Sequence, residues 1–300
     1  EREGALPVRE FEYAAPRTVK EAVALLAKAG ADARCLAGGT DLIAQMKEGR
    51  RSPTLVVDVK RIPDLMRLEY AERRGLHLGA GVSCSAIYEH PVVREKYPII
   101  VDACSLVGSL QIQNRASVGG NLCNAAPSAD TAPAFLALNA TAVVAGPRGR
   151  RQIALTEFFV GPGKTVLGPG ELLVEVIVPP PPARSAGNYL RFIPRNEMDI
   201  AVAGVGSVVV LGAKGVCKDA RIALASVAPV PLRAHGAEER LRGRALDAEA
   251  IREAGALAAA ECKPISDVRG SADYRRHLVN VLTQRTLHAC LKQLGVTVGA

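Results

Sequence analysis

The sequence predicts an α+β fold: two units of alternating helix and strand, then a third unit in which a sheet precedes helices. Three observations predict it. Helical and strand-like hydrophobic patterns alternate as far as Val178, four consecutive prolines at 179–182 interrupt the chain, and two β-rich runs beyond them lead into two long helical patterns. The division that follows is 1–60, 61–178, a proline-rich link at 179–186, and 187–300.

The first unit opens on Thr18-Val19-Lys20-Glu21, the spacing of a capping box, ahead of the apolar Ala22, Val23, Leu25 and Leu26; Gly30 can end that helix. Arg34, Cys35 and Leu36 lead into Ala37-Gly38-Gly39-Thr40-Asp41. Leu42, Ile43 and Met46 then recur at helical spacing until Gly49, and Leu55-Val56-Val57-Asp58-Val59 reads as a buried strand. In the second unit Leu76, Leu78, Ala80 and Val82 alternate with His77, Gly79 and Gly81, which predicts a strand. Ser83 is a good N-cap for a short helix ending before Pro91, a second helix is expected over 99–107, and 115–121 is loop-like in composition. Residues 141–145 and 152–155, joined by Gly146-Pro147-Arg148-Gly149, predict a hairpin, and 172–178 another strand.

Prolines fix φ and lack an N–H, so 179–182 suits a stiff extended link and neither a helix nor a central strand. Beyond it, 202–211 and 220–227 are β-rich with a turn at 212–215, and helices are expected near 248–261 and 272–294. The last helix reads as amphipathic, with Leu278, Val279, Val281, Leu282, Leu287 and Leu291 on its apolar side.

Of the 300 residues 48% are apolar but only 4% aromatic, so the core must rest on Ala, Val, Leu and Ile. No apolar run is long enough for a membrane span. Glu1, Arg2 and Glu3 do not begin an apolar leader, so a cytoplasmic protein is expected. The net charge of +8 favours anionic partners, yet Lys and Arg are scattered and no nucleic-acid footprint stands out. The seven cysteines are widely spaced with no C-x-x-C pair, so reduced thiols are expected rather than a zinc or iron–sulfur site on this chain.

Two glycine pairs are the candidates for chemistry: Gly38-Gly39, between a strand and a helix, and Gly119-Gly120, after Ser117-Val118. Adjacent glycines let the backbone come close to a ligand and let successive N–H groups converge on an anion, as a diphosphate requires; each pair can equally be a tight turn. Asp41 beside such a cradle is tolerable if its carboxylate caps the helix and faces away. Other nucleotide motifs fail: Gly163-Lys164-Thr165 lacks the upstream glycine of a P-loop, where Phe158 stands, and Gly79-x-Gly81 meets Cys84 at the third glycine position of a dinucleotide fingerprint. His77, His90, His235, His277 and His288 are dispersed, with no metal-ligand spacing.

With their neighbours the two pairs become specific. Leu36-Ala37-Gly38-Gly39-Thr40-Asp41-Leu42 resembles the first FAD-diphosphate loop of the molybdopterin dehydrogenase FAD-binding family. Ala116-Ser117-Val118-Gly119-Gly120-Asn121-Leu122-Cys123-Asn124-Ala125-Ala126-Pro127-Ser128-Ala129-Asp130-Thr131-Ala132-Pro133 is similar to its second signature. The resemblance implies a vanillyl-alcohol-oxidase-like (PCMH-type) FAD-binding fold of two α/β subdomains plus a C-terminal sheet-and-helix domain. It implies FAD contacts at Cys35, Leu36, Ala37, Gly38, Gly39, Thr40, Asp41 and Leu42, and at Ser117, Val118, Gly119, Gly120 and Asn121, with Asp130, Leu173 and Arg191 as further contacts. Asp130 also reads as an N-cap for a helix at Thr131, and Arg191 equally as a surface ion-pair residue. Val107 stands where relatives place an aromatic that shields the flavin; Tyr189 and Phe192 are candidates in its stead.

The function implied is that of an electron-transfer subunit with FAD as its cofactor. Molybdopterin would sit on a large partner subunit and 2Fe-2S clusters on a small one, in a dimer of heterotrimers. A free-standing flavin reductase of related fold and a basic scaffold protein are the alternatives.

Overall fold

The computed structural model describes residues 8–195 and 198–298; the charged start at Glu1, Arg2 and Glu3 lies outside the described residues. Three sheets organise the chain. A parallel three-stranded sheet runs Glu12–Ala14, Leu55–Asp58, Ala33–Leu36. An antiparallel five-stranded sheet runs Leu68–Ala71, Gly75–Gly79, Leu172–Val178, Thr141–Gly146, Gly149–Ala154, and an antiparallel four-stranded sheet runs Ser185–Phe192, Ala203–Leu211, Cys217–Ala225, Leu232–Arg233. A small pair, Phe159–Gly161 with Lys164–Thr165, adds a flap.

The first helix, Val19–Ala29, starts at the expected capping box: Thr18 Oγ1 accepts from the Glu21 N–H, and Glu21 accepts back from the Thr18 N–H. It packs Ala22, Val23 and Leu26 on the parallel sheet, whose middle strand is buried along its whole length. Such a strand carries a continuous apolar run because both its faces are covered. In the second sheet the hairpin Thr141–Gly146 with Gly149–Ala154 forms as expected.

The strand Ala203–Leu211 is buried at every position. Its side chains alternate between two cores. Ala203, Val205, Val209 and Leu211 join the core of the C-terminal unit, under the helices Ala248–Glu261 and Ala272–Gln293, whereas Val208 joins the core of the N-terminal units. On that second face Gly206 lies against the backbone of the helix Thr131–Ala137, where an added Cβ would stand 3.1 Å from Pro133.

Some expectations are corrected. Residues 118–124 are the helix Val118–Asn124 rather than a loop, because Ser117 caps the first turn and the two glycines add only a modest helix penalty. The strand expected from Leu76 to Val82 ends at Gly79, where the chain turns to meet the next segment, and the helix expected over 99–107 is Pro98–Cys104. The strand Ser185–Phe192 and the helix His235–Leu241 give little hydrophobic period of their own and were not expected. The last helix buries a stripe at helical spacing that includes Arg275, Thr283 and Thr286, while Val281 is only half-buried. Its inner face is therefore partly polar: Arg275 donates to the carbonyls of Val202 and Ser226 and Thr286 shares a hydrogen bond with Ser207, while Thr283 Oγ1 has no hydrogen-bond partner among the described residues.

Candidate functional site

Between the first two units lies a groove of about 490 Å³, within the roughly 300–1,000 Å³ usual for ligand sites. Its floor is set by two segments that approach each other closely. One follows the strand Ala33–Leu36 and passes through Gly38 and Gly39 into the short helix Leu42–Lys47. The other runs through Ser117 into Val118–Asn124. A Cβ built on Gly38 would lie 1.9 Å from the Arg115 carbonyl oxygen, so only glycine allows the two backbones to meet.

The first segment presents free donors. No acceptor within the described residues takes the N–H of Gly38, Gly39, Thr40, Asp41 or Leu42. The turn is held from behind instead. Lys60 Nζ donates to the Ala37 carbonyl at 3.1 Å and stands 2.8 Å from Asp58 Oδ1, and the Tyr13 hydroxyl donates to Asp58 Oδ2 at 2.6 Å. Burial pushes the Asp58 carboxyl up, but the hydrogen bonds from Lys60 and Tyr13 and the Lys60 charge outweigh it and hold it below the usual range.

The second segment works differently. Its Gly119 N–H goes to the Ala80 carbonyl at 3.1 Å, Gly120 N–H to Ser117 Oγ at 3.1 Å, and Asn121 N–H to the Ser117 carbonyl at 2.9 Å. What it offers is clearance. A Cβ on Gly119 would collide with Ala80 at 2.4 Å, locking the helix to the second sheet, whereas one on Gly120 would meet only Ser117 Oγ and project into the groove. The Ala80 N–H in turn donates to the Val174 carbonyl at 2.8 Å, so this floor hangs from the strand Leu172–Val178.

At one end Gln45 Nε2 donates to Asn124 Oδ1 at 3.1 Å and its Oε1 accepts from Arg51 Nε at 3.3 Å, joining the two segments across the groove. Arg34 and Arg51 both line the cavity, and burial together with the Arg51 charge lowers the Arg34 guanidinium from its ordinary value. Burial pushes the Cys123 thiol up to about 12, and the more exposed Cys35 thiol is also raised, so both line the groove as neutral groups. Asp41 makes no cap bond and also lines the groove; burial pushes its carboxyl up, against the pull of Arg50. The expected capping role is thus corrected: the backbone at Asp41 is already helical, which leaves its side chain out of reach of the N–H two or three residues on.

Of the residues proposed from sequence, Cys35, Ala37, Gly38, Gly39, Thr40, Asp41, Leu42, Ser117, Gly119, Gly120, Asn121 and Leu173 all line this one groove. Leu36 and Val118 sit beside them in the chain but do not line it, and Val118 is fully buried. Asp130 and Arg191 lie elsewhere. They form a buried ion pair, and the Tyr189 hydroxyl donates to the same carboxylate at 2.8 Å. Asp130 therefore makes no cap bond, because its oxygens are taken by Arg191 and Tyr189. Burial nevertheless pushes its carboxyl up to about 6, with Arg191 and Tyr189 pulling the other way. Tyr189 is thereby engaged away from the groove, and Phe192 packs edge-on against Tyr274; neither lines the cavity, whereas Val107 does.

Sequence reasoning missed Leu26, Arg34, Arg51, Leu65, Ala80 and the stretch 167–172. Only the last carries a local signal, the turn-forming Gly168-Pro169-Gly170. Among the described residues no cluster of His, Cys, Asp or Glu could hold a metal ion, and no helix is long and apolar enough to cross a membrane. The groove is built for an elongated anion: free amides, close backbone, two arginines and neutral thiols.

Comparison with known proteins agrees with this geometry. Residues 9–181 match the family described as FAD binding domain in molybdopterin dehydrogenase, and 188–290 match the CO dehydrogenase flavoprotein C-terminal domain. The carbon monoxide dehydrogenase medium chain of Hydrogenophaga pseudoflava is 36% identical over 93% of this chain and 96% of its own. The 6-hydroxypseudooxynicotine dehydrogenase complex subunit alpha of Paenarthrobacter nicotinovorans is 31% identical over 96% of each. A solved structure of the Hydrogenophaga pseudoflava carbon monoxide dehydrogenase, in a form lacking the Mo-pyranopterin moiety of its cofactor, superposes with a TM-score of 0.92 at 35% identity, covering 96% of this chain and 99% of that one.

Proposed function

Because the chain belongs to the FAD-binding medium-subunit family of the molybdenum hydroxylases, we infer that its groove seats the FAD diphosphate on the free amides of residues 38–42, with Gly119 and Gly120 giving the clearance on the opposite side. The observation that carries this is the row of unpaired N–H groups facing a second glycine pair across one cavity. Backbone donors with no protein acceptor that border a groove are open to an anion, and a phosphate oxygen is a strong acceptor.

The chain's residues bind and orient; a bound flavin supplies the exchange of electrons. Arg34 and Arg51 offset the diphosphate charge, while Leu65, Val107 and Leu173 give apolar walls. The neutral thiols add no repulsion. We assign Asp130 and Arg191 a positioning role. Their pair ties the strand Ser185–Phe192 to the start of the helix Thr131–Ala137, and Thr131 donates to the groove residue Asn121 at 2.5 Å.

In this reading the chain passes electrons between 2Fe-2S clusters of a small partner subunit and an external acceptor or donor. A large partner carries the molybdenum cofactor, and the assembly is a cytoplasmic dimer of heterotrimers. Relatives described as medium chains, medium subunits and FAD subunits support a multisubunit setting. The test is purification from native cells, with flavin, iron and molybdenum measured across the sizing profile. Co-elution of all three with this chain is expected. A lone, colourless chain that takes up no added FAD would overturn the proposal.

A further inference from the structure

A second cavity, of about 250 Å³, lies where the proline link meets the third sheet. Its walls come from Glu95, Lys96, Tyr97 and Ile99, from the link prolines, and from Val208 and Arg221 of the third sheet. None of these residues lines the FAD groove.

Arg221 is the unusual member. It pairs with Val208 across the sheet, so its side chain leaves on the face turned toward the N-terminal units. Only 7% of it is exposed, yet its guanidinium makes no hydrogen bond to any described residue. Its Nε is buried and orphaned: the Asp219 carboxylate stands 3.2 Å away but lacks hydrogen-bond alignment, and Arg242 holds its other oxygen at 3.1 Å. Nearby, Arg233 and Arg242 share the buried Glu238. Three guanidiniums thus share two carboxylates, and Arg221, in ion-pair reach of Asp219 but with no hydrogen bond to it, is the least satisfied of the three. A buried guanidinium whose donors lack hydrogen bonds is costly, and its fork of donors fits an oxyanion. At the cavity edge Asn139 accepts from Arg233 through Oδ1 at 2.8 Å, which leaves its amide N–H group to donate elsewhere. Gln293 adds a second amide to the lining.

We propose that this cavity binds a small phosphate, free or as the ester of a small metabolite, gripped by Arg221 and assisted by Asn139. Such an anion would bridge the N-terminal units, the proline link and the third sheet, and so couple its concentration to their docking. The site is independent of the flavin reading, since it shares no residue with the FAD groove.

The test is a thermal-shift and calorimetric titration of the full chain, kept in excess FAD so that the diphosphate groove is occupied. Inorganic phosphate and glycerol phosphate are titrated separately, with chloride at matched ionic strength as the control. Saturable binding with a rise in melting temperature is expected. The arm that binds tighter identifies the source, as free ion or ester. Arg221→Gln should weaken binding about a hundredfold by removing a charge-assisted, two-pronged contact. Should that buried substitution fail to fold, Asn139→Asp serves. It keeps the acceptor for Arg233 but places negative charge at the cavity, and should weaken binding about tenfold. Flavin content should be unchanged in both. Absence of binding beyond the chloride control, or unaltered phosphate affinity in Asn139→Asp, overturns the proposal.

Discussion

Replacing Gly120 by alanine should weaken FAD binding while leaving the fold intact, and replacing Gly38 should do the reverse damage. At Gly120 the new Cβ meets only Ser117 Oγ, at 2.9 Å, and otherwise enters the groove. Because Gly120 lies in a helix with negative φ, alanine recovers about 0.5–1 kcal/mol of propensity, which offsets the small shift asked of the serine. Stability should therefore stay within about 1 kcal/mol of wild type. Binding should suffer more. A methyl group on the clearance side displaces the diphosphate from the opposite amides, and one charge-assisted hydrogen bond lost costs about 1.5–3 kcal/mol, or about tenfold to a hundredfold in Kd. At Gly38 the added carbon would lie 1.9 Å from a backbone oxygen, so the two floor segments must part. Overpacking of this kind costs about 1–3 kcal/mol of stability or more. Urea melts of the apo chains and FAD titrations followed by flavin fluorescence separate the two quantities. Wild-type FAD affinity in Gly120→Ala and in the bulkier Gly120→Val would refute the cradle.

Arg191→Met should cost about 3–5 kcal/mol, because it leaves the Asp130 carboxylate buried and unpaired, whereas Asp130→Asn, which resembles the protonated acid, should be better tolerated; urea midpoints compare them. The raised Asp130 carboxyl also sets a pH dependence. Between the ordinary carboxylate value of about 3.8 and about 6 the folded chain holds a proton that the unfolded chain has lost, so this group's stabilisation is full at the low end and is lost as pH rises through about 6. The stability of Asp130→Asn relative to wild type should accordingly improve over that window, and a flat difference would contradict it. Lys60→Met frees the Ala37 carbonyl and should weaken FAD about threefold to thirtyfold, with little change in helix content by circular dichroism. Ser117→Ala removes the cap on Gly120 and should lower stability by about 1 kcal/mol in thermal melts.

How much could be read from sequence depends on whether the signal is local. The capping box at Thr18, the hairpin around Gly146 and Gly149, and the buried strand at 55–58 carry their own chemistry within a few residues, and each forms. The glycine pairs were legible for the same reason, since the need for small residues is written where it acts. The groove's other walls are not local. Arg34, Leu65 and Ala80 meet only after the two N-terminal units close on each other, and nothing in their immediate neighbours marks them. Asp130 and Arg191 are a further non-local case: they lie 61 residues apart in sequence, and only the folded chain brings them together as an ion pair.

The strand Ala203–Leu211, with one face in each of two cores, makes the C-terminal third a poor candidate for exchange as a module. Cut free, it would expose Val208 and the flat glycine face that nests against the helix at Thr131. Grafted onto another relative, it would need that relative's helix at the same height to within a methyl group. Heating should accordingly melt the whole chain in one step rather than shed its last third first.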